Sequence, residues 1–170
     1  LDVYEQAGLI GPRTILAHAI YLSASEWKRV RDRGAMVAHC PDSNFFLGSG
    51  RMPLKKTLAR GIPVGLGSDV AAGRSFSLRR AMAYAYDNAL CLKNGGVPVA
   101  TLFRLATLGG AQLCGWESRI GSLEVGKQAD LVVLPLPAHA KTTADALAQL
   151  VFDSDDPRAH SVYVAGRRLI

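Results

Sequence analysis

Long apolar runs, cysteines and aromatic residues are all scarce in this sequence. No apolar stretch approaches the roughly 20 residues that a membrane-spanning helix needs, so no membrane partner is expected. The three cysteines form no CxxC pair, which argues against a disulfide scaffold and favours a reducing, cytoplasmic environment. Aromatic residues make up only 7% of the chain and are not interleaved with basic ones, so no nucleic-acid partner is expected either.

The length and composition are those of a single globular domain. The chain has 170 residues, of which 49% are hydrophobic and 20% charged, enough to build one domain with a buried core. The net charge of +6 comes from scattered lysines and arginines, which we interpret as solvated helix faces. The sequence does not begin with Met, and we expect it to be a fragment of a longer protein.

Three strand–helix units follow one another along the chain. Short apolar strands are predicted at residues 13–19 and 36–39 and within residues 63–70, and helices from a cap at Ser23 or Ser25 to about residue 33 and at residues 53–59 and 77–92. Residues 40–50 are predicted to form a long polar loop, and a further helix over residues 97–108 is predicted to break at Gly109 and Gly110. Short, nearly all-apolar strands alternating with helices are typical of a parallel α/β architecture.

Each of the three strands ends in an ionisable residue, namely His18, His39 or Asp69. Because the carboxyl ends of parallel strands meet at one edge, these side chains should lie near one another. Ionisable groups in such a place are costly unless they are paired or bind a metal. The pattern therefore predicts a functional site at this edge, and one hypothesis is a metal bound by two histidines and one carboxylate.

Structural roles are open for the same residues. Asp69 could cap a helix, and His18 could be a core histidine bonded to a backbone carbonyl. His39 is predicted to order the 40–50 loop, in which Asn44 would bond nearby backbone. Cys40 is predicted to be buried and inert. Three phenylalanines could either wall a pocket for a flat ring or pack as ordinary core, namely Phe45, Phe46 and Phe76.

The pattern changes after Gly115. A turn-rich stretch precedes a predicted strand at residues 127–134, a Pro/Ala linker at 135–143, a helix at 144–151 and two short strands around Gly166. His139 and His160 are predicted to be surface residues. We therefore divide the chain into residues 1–119, which carry the strand ends of the site, and residues 120–170, a small β-containing segment.

Four motifs together resemble a known family. They are AHCPDSNFFLGSG (38–50), VGLGSDVAAGRSFS (64–77), RLATLGGAQLCG (104–115) and IGSLEVGKQADLVVL (120–134). These stretches are similar to the metal-dependent amidohydrolase superfamily, and within it to the guanine deaminase family. The resemblance implies a C-terminal portion, strands 6–8, of a (β/α)₈ barrel, followed by part of a small composite β-domain.

The resemblance also implies a chemistry. A zinc ion would activate a water molecule that deaminates guanine to xanthine and ammonia, with Asp69 as a zinc ligand and His18 contacting the substrate and the attacking water. Both residues would thus be catalytic and substrate-binding. The family's other zinc ligands, a His-x-His pair and a further His, and its proton-shuttling Glu have no match here, so these residues alone are expected to be inactive.

Other interpretations remain open at this point. The substrate could be another purine, a pyrimidine or a triazine, because residues that select it in the family lie partly outside this sequence. The chain could instead be a non-catalytic remnant or an assembly module. A homodimer is compatible with the resemblance, although no residue of the sequence indicates a dimer surface.

Overall fold

The computed structural model describes residues 1–135, 138–153 and 157–170. The helices are α1 (Asp2–Gln6), α2 (Ala24–Asp32), α3 (Pro41–Phe46), α4 (Leu54–Ala59), α5 (Leu78–Leu90), α6 (Val99–Arg104), α7 (Gly110–Leu113) and α8 (Thr143–Phe152). The strands are β1 (Ile15–Ala17), β2 (Met36–His39), β3 (Val64–Leu66), β4 (Leu131–Val133), β5 (Ser161–Val164) and β6 (Arg167–Arg168). Residues 136–137 of the predicted linker lie outside the described residues.

The first three strands form a parallel sheet in the order β1-β2-β3. Ile15 pairs with Met36, and Val37 with Val64, so the three strands run in register with their carboxyl ends at the same edge. This confirms the parallel arrangement predicted from the apolar strands. It also brings the loops that follow all three strands to one side of the molecule.

Helices cover one face of this sheet and form the core with it. Trp27 and Val30 of α2 are buried, as are Leu102 of α6 and Leu105 directly after it, and they cluster with the sheet residue Val37. Ser23 begins α2 with a capping box, in which its side chain accepts from the Glu26 backbone N–H and Glu26 accepts in return. Burial of these and the other apolar side chains of the cluster is the main force that holds the sheet in place.

The predicted loop at residues 40–50 is partly wrong, because its first half is the helix α3. Pro41 occupies the first helical turn, where its missing N–H costs nothing. Asp42 in the same turn has a favourable charge for a helix N-terminus. The Ser, Asn and Asp residues that suggested a loop instead point their side chains into the protein, where most of α3 is buried.

The predicted helix break at Gly109 and Gly110 is also wrong. Helical structure continues from α6 to α7 through a π-helical turn, Leu105–Gly109. A Cβ on Gly109 would lie 2.6 Å from the carbonyl oxygen of Val64. The glycine therefore allows the helix to press against β3, and the wider π turn fits the sheet at that contact.

The last three strands form a separate antiparallel sheet in the order β4-β5-β6. Ala165 and Gly166 connect β5 to β6 with positive φ values of 48° and 79°, as tight hairpins require, so the predicted turn at Gly166 is confirmed. Helix α8 packs on α5, with the rings of Tyr86 and Phe152 4.8 Å apart. None of the helices in the described ranges combines the length and apolar character that crossing a bilayer requires.

Candidate functional site

His18 lies directly after β1 and turns away from the sheet. Its backbone N–H still donates to the Ala38 carbonyl at 3.0 Å, as the parallel ladder requires. Its φ is +67°, in the left-handed region that a residue with a Cβ rarely adopts. This backbone conformation directs the imidazole to the open edge of the sheet, where it is partly exposed.

Asp69 lies three residues beyond the end of β3, at the same edge of the sheet, and also has a left-handed backbone conformation, with a φ of +48°. Its carbonyl oxygen accepts from the Ala72 N–H at 3.1 Å and from the Gly73 N–H at 2.5 Å. A Cβ on Gly73 would lie 2.1 Å from the Ser68 carbonyl oxygen, so this turn requires glycine. Strained residues of this kind persist where the surrounding structure fixes them and often mark functional sites.

The two side chains meet at the sheet edge. His18 Nε2 lies 3.9 Å from Asp69 Oδ2, and His18 Nδ1 lies 2.7 Å from Asn44 Oδ1. With Asn44 Oδ1 as the acceptor, His18 Nδ1 is the donor, and Nε2 faces Asp69. The pair can therefore bind a cation, or hold and move a proton between an imidazole and a carboxylate.

Asn44 is a site residue that sequence reasoning misplaced. It was predicted to bond nearby backbone, but its Oδ1 reaches His18, 26 positions away. The side chain is buried because α3 is a helix and turns it inward. Its Nδ2 has no hydrogen-bond partner among the described residues. The helical first half of the 40–50 segment is the feature that would have placed Asn44 correctly.

Cys40 is buried, as predicted, but lies beside the two strand-end residues. His18, Cys40 and Asp69 each offer a ligand atom, and these atoms all lie within 4.8 Å of one another. Burial, and then the charge of Asp69, raises the pKa of the Cys40 thiol to about 11. The thiol is therefore protonated at neutral pH when no cation is bound, and its chemistry depends on what approaches it.

His39 does not join this cluster. Successive side chains of a strand point to opposite faces, and His39 is buried on the same face as Val37, against the helices. Neither of its ring nitrogens has a hydrogen-bond partner among the described residues, so it does not order the 40–50 segment through such a bond. Burial, with a smaller effect of His18, lowers its pKa to about 4. The hypothesis of a metal site formed by His18, His39 and Asp69 is therefore wrong.

A cleft of about 470 Å³ opens beside His18 and Asp69. This size is within the usual range for small-molecule sites. The residues lining it are His18, Ile20, Tyr21, Ser43, Asn44, Leu47, Ser49, Asp69 and Ala72. Tyr21 was not anticipated from the sequence, and its hydroxyl donates to the Ser49 carbonyl at 2.6 Å. This bond ties together two loops at the mouth of the cleft.

The three phenylalanines are not part of the core, so that alternative is wrong. Phe45, Phe46 and Phe76 are 54%, 57% and 82% exposed, so they are not core, and none of them lines the cleft in the described structure. Phe45 and Phe46 instead contact the guanidinium groups of Arg51 and Arg74, 5.5 and 5.1 Å from the ring centres. His139 and His160 are exposed, as predicted.

A second contact joins the elements that carry the site. Asp42 of α3 is buried, and its Oδ1 accepts from Arg74 Nε at 2.8 Å and Nη2 at 2.5 Å. Its Oδ2 accepts from the Arg74 backbone N–H at 2.6 Å. The guanidinium also stacks on Tyr84, 4.9 Å from the ring centre. Both charges are thus held in a fixed geometry, which fastens the loop that follows Asp69 to the helix that carries Asn44.

Similarity to known proteins extends over nearly the whole chain. The profile of the Amidohydrolase family matches residues 1–169. The chain belongs to the amidohydrolase family. Among curated relatives, the guanine deaminase of Escherichia coli K12 is 36% identical over 98% of this chain and 40% of its own length. The resemblance to this hydrolytic enzyme family, stated above from four motifs, is confirmed.

Solved structures of amidohydrolases give the same result. A guanine deaminase from C. acetobutylicum with guanine in its active site has a TM-score of 0.89 and is 32% identical over 99% of this chain and 42% of its own. An adenosine deaminase from Xanthomonas campestris with bound zinc has a TM-score of 0.85 and is 31% identical over 98% of this chain and 39% of its own. The chain thus spans about 40% of the length of the curated relatives it matches.

Proposed function

We propose that the protein to which this chain belongs hydrolyses guanine to xanthine and ammonia at a zinc-dependent site. The observation that carries the proposal is the meeting of His18 Nε2 and Asp69 Oδ2, 3.9 Å apart, beside a cleft at the carboxyl edge of parallel strands. Relatives similar in sequence and in structure include guanine deaminases, one of them with bound guanine. These similarities support guanine as the substrate in preference to a pyrimidine or a triazine.

The donor atoms at this edge fit a zinc ion. Zinc takes nitrogen, sulfur and oxygen ligands, and the cluster offers one of each within 4.8 Å. In the proposal Asp69 is the zinc ligand that this chain contributes, and the remaining ligands come from residues outside the printed sequence. The hydrogen bond from His18 Nδ1 to Asn44 is the kind of support that ordinarily orients imidazoles beside metals.

When bound, zinc supplies a water molecule whose pKa falls towards about 7. In a zinc-loaded site Asp69 would hold the ion through one carboxylate oxygen and would have the other available to accept a proton from the water that zinc supplies. His18 donates or accepts a hydrogen bond at the reacting carbon's substituents and stabilises the charge that develops there. Asn44 keeps the imidazole oriented through its 2.7 Å contact. In the overall hydrolysis the ring carbon gains the water oxygen, the carbon–nitrogen bond breaks, and the amino group leaves as ammonia with one proton of the water, while the other proton remains on the product.

The proposal also concerns the position of this chain within its protein. We assign β1, β2 and β3 to strands 6, 7 and 8 of a (β/α)₈ barrel, because residues 38–50 and 64–77 resemble the corresponding family motifs. Residues 1–119 would form that part of the barrel and residues 120–170 part of a small composite β-domain. A cytoplasmic location and a homodimer are part of the same expectation.

The test combines intact mass, zinc content and guanine deamination on one sample of the isolated protein. We expect a mass above 18.1 kDa, about one zinc per chain and release of xanthine. Asp69→Asn should lower kcat/KM by about 10²–10⁴-fold, the range for a group that transfers a proton. Asp130→Asn is the matched control, because Asp130 Oδ1 accepts from the Ala165 N–H in the other sheet.

Two results would overturn the proposal. One is a protein of 18.1 kDa that holds no zinc and leaves guanine unchanged, which would make the chain a non-catalytic remnant. The other is an Asp69→Asn variant as active as Asp130→Asn, which would remove Asp69 from the chemistry. Deamination of adenosine or a triazine with no turnover of guanine would keep the site and change the substrate.

A further inference from the structure

The excess of positive charge in this chain is concentrated in two segments. Residues 43–68 and residues 88–116 contain six lysines and arginines and no acidic residue. The whole chain has 20 basic and 14 acidic residues, so outside these segments the two kinds are equal in number. The six basic residues of the segments are Arg51, Lys55, Lys56, Arg60, Lys93 and Arg104. The net charge of +6 therefore belongs to two stretches of the chain rather than to the surface as a whole.

The fold brings these two segments together around a second cleft, of about 270 Å³. Pro53 and residues of α4 line it from one segment, and residues 92–95 line it from the other. Three of its lining residues are lysines, namely Lys55, Lys56 and Lys93, and none is acidic. The cleft shares no lining residue with the one beside His18 and Asp69.

The three lysines of this cleft have no partner of opposite charge. None of their ammonium groups forms an ion pair with a carboxylate in the part of the chain that the structure describes. The basic side chains of α2 differ, because Lys28 pairs with Asp32 and Arg29 with Asp2. Like charges around one cleft repel each other until an anion lies between them. The arrangement is therefore suited to a ligand that carries several negative charges.

The turn that carries Lys93 has a fixed backbone. The Gly95 N–H donates to the Leu92 carbonyl at 2.8 Å, and Asn94 has a φ of +56°. A Cβ on Gly95 would lie 2.0 Å from the Ala89 carbonyl oxygen, so the chain can turn this closely against α5 only with glycine. The backbone N–H groups of Lys93 and Asn94 have no acceptor among the described residues. Two residues that line the cleft thus also have unused backbone donors.

We propose that this cleft binds the diphosphate group of a small molecule through Lys55, Lys56 and Lys93. Lysine binds phosphate as a point charge. A phosphate group carries a charge of about −1.5 to −2 at neutral pH, so two linked groups match three lysines more closely than one does. The cleft is slightly smaller than the roughly 300–1,000 Å³ of sites that enclose a drug-sized ligand, which favours a compact anion.

This inference goes beyond the proposed function and does not depend on it, because guanine carries no phosphate. The diphosphate group has two possible sources. It is either the free inorganic anion or the end of a nucleotide whose base lies outside the cleft. Both sources present the same oxygen atoms to the lysines, so they are distinguished by experiment.

Calorimetric titration of the isolated protein with inorganic diphosphate at low ionic strength tests the proposal. We expect saturation at a single diphosphate per chain, and an affinity that falls as sodium chloride is added, because salt screens contacts between exposed charges. Titration with ADP distinguishes the two sources. Tighter binding of ADP identifies a nucleotide as the ligand, whereas binding of inorganic diphosphate that is as tight or tighter identifies the free anion.

Three variants locate the bound anion. Lys55→Gln combined with Lys93→Gln should weaken diphosphate binding by at least about tenfold, the effect of losing one hydrogen bond to a charged group. Lys28→Gln combined with Lys141→Gln is the matched control, because it removes two exposed lysines outside the cleft, and it should bind as the parent protein does. Asp69→Asn should also bind unchanged, which excludes diphosphate held by a zinc ion. Circular dichroism confirms that each variant is folded.

The proposal is overturned if diphosphate does not bind at low ionic strength. It is also overturned if the two double variants lose affinity equally, because binding would then follow net charge alone, or if Asp69→Asn abolishes binding. Its failure is distinguishable from failure of the proposed function. A protein that deaminates guanine and does not bind diphosphate lacks only this second site, whereas one that binds diphosphate and leaves guanine unchanged lacks only the proposed activity.

Discussion

Residues with positive φ occur in different settings in the two sheets of this molecule. In the antiparallel sheet, Ala165 and Gly166 have positive φ because a two-residue hairpin needs it. In the parallel sheet, His18 and Asp69 have positive φ where no hairpin follows. The hairpin residues are simply suited to their turn. The strand-end residues hold a costly backbone conformation that nearby hydrogen bonds help to maintain, for Asp69 through the turn that the Ala72 and Gly73 N–H groups close on its carbonyl oxygen.

The packing of the two sheets differs accordingly. All three residues of β3 are buried, whereas Val132 of β4 is 57% exposed. A sheet with a covered face can hold functional side chains in costly conformations, because many contacts would have to be lost to relax them. The comparison indicates that Asp69 follows a fully buried strand, whereas β1, which precedes His18, is about as exposed as β4.

The largest expected contrast is in core stability. Leu102→Ala should lower the free energy of unfolding by about 2–5 kcal/mol, because it removes buried methyl groups and leaves a cavity. Leu123→Ala is the same substitution in the C-terminal segment, where the side chain is 80% exposed, and should change stability by less than about 0.5 kcal/mol. Urea unfolding measures both. Equal losses would mean that the two regions share the core more evenly than their burial indicates.

The second contrast is in the response to acid. His39 has a pKa lowered to about 4 by burial, against about 6.5 in an unfolded chain. Above pH 6.5 both states are neutral and the contribution of His39 to stability is complete. As the pH falls from about 6.5 to 4, the unfolded state takes up a proton first, so stability is lost. The loss, on the order of 3 kcal/mol, then levels off.

His39→Gln should remove that part of the acid sensitivity, as measured by urea unfolding between pH 4 and 7 with a chelator present. His160→Gln is the matched control, because His160 is exposed in the C-terminal segment, and its curve should follow the parent protein. If His39→Gln and the parent lose stability in parallel over this range, His39 is solvated, and the buried, unpartnered ring described above is wrong.

Much of the fold, and the meeting of the two strand-end residues, could be predicted from the sequence. Apolar runs flanked by glycines located β2 and β3, and the parallel order followed from the helices between them. The rule that loops meet at the carboxyl edge was enough to bring His18 and Asp69 together. The hairpin at Gly166 followed from turn chemistry alone. These features depend on local patterns, which is why a single sequence was sufficient.

What could not be predicted depended on the direction of side chains. His39 ends its strand as His18 does, but strand alternation points its side chain towards the helices. The next residue, Cys40, lies in the cluster instead. The contact of Asn44 with His18 was missed because the polar composition of α3 is typical of a loop. Gly109 suggested a helix break, although its function is a close approach to Val64. Each error arose where tertiary packing overrode a local preference.

The smallest contrast concerns single charged contacts. In the parallel half, Asp42 is buried and accepts three hydrogen bonds from Arg74. In the C-terminal segment, Glu124 is exposed and lies 3.6 Å from Lys127. Asp42→Asn should cost about 1.5–3 kcal/mol, the range for hydrogen bonds to charged groups. Glu124→Gln, the same acid-to-amide change, should have little effect, because exposed pairs contribute little.

A double-mutant cycle with Arg74→Met decides whether the Asp42 effect belongs to this pair. The coupling energy should be positive and should account for most of the cost of Asp42→Asn, because the two side chains share one contact. The loop that Arg74 anchors also carries Asp69, so Asp42→Asn should loosen the site and lower cation affinity as well as stability. A coupling energy near zero would assign the cost of Asp42→Asn to α3 alone. In that case the turn at Gly73 and the strand itself would position the loop after β3. The site at the edge of the parallel sheet would then not depend on the contact between Asp42 and Arg74.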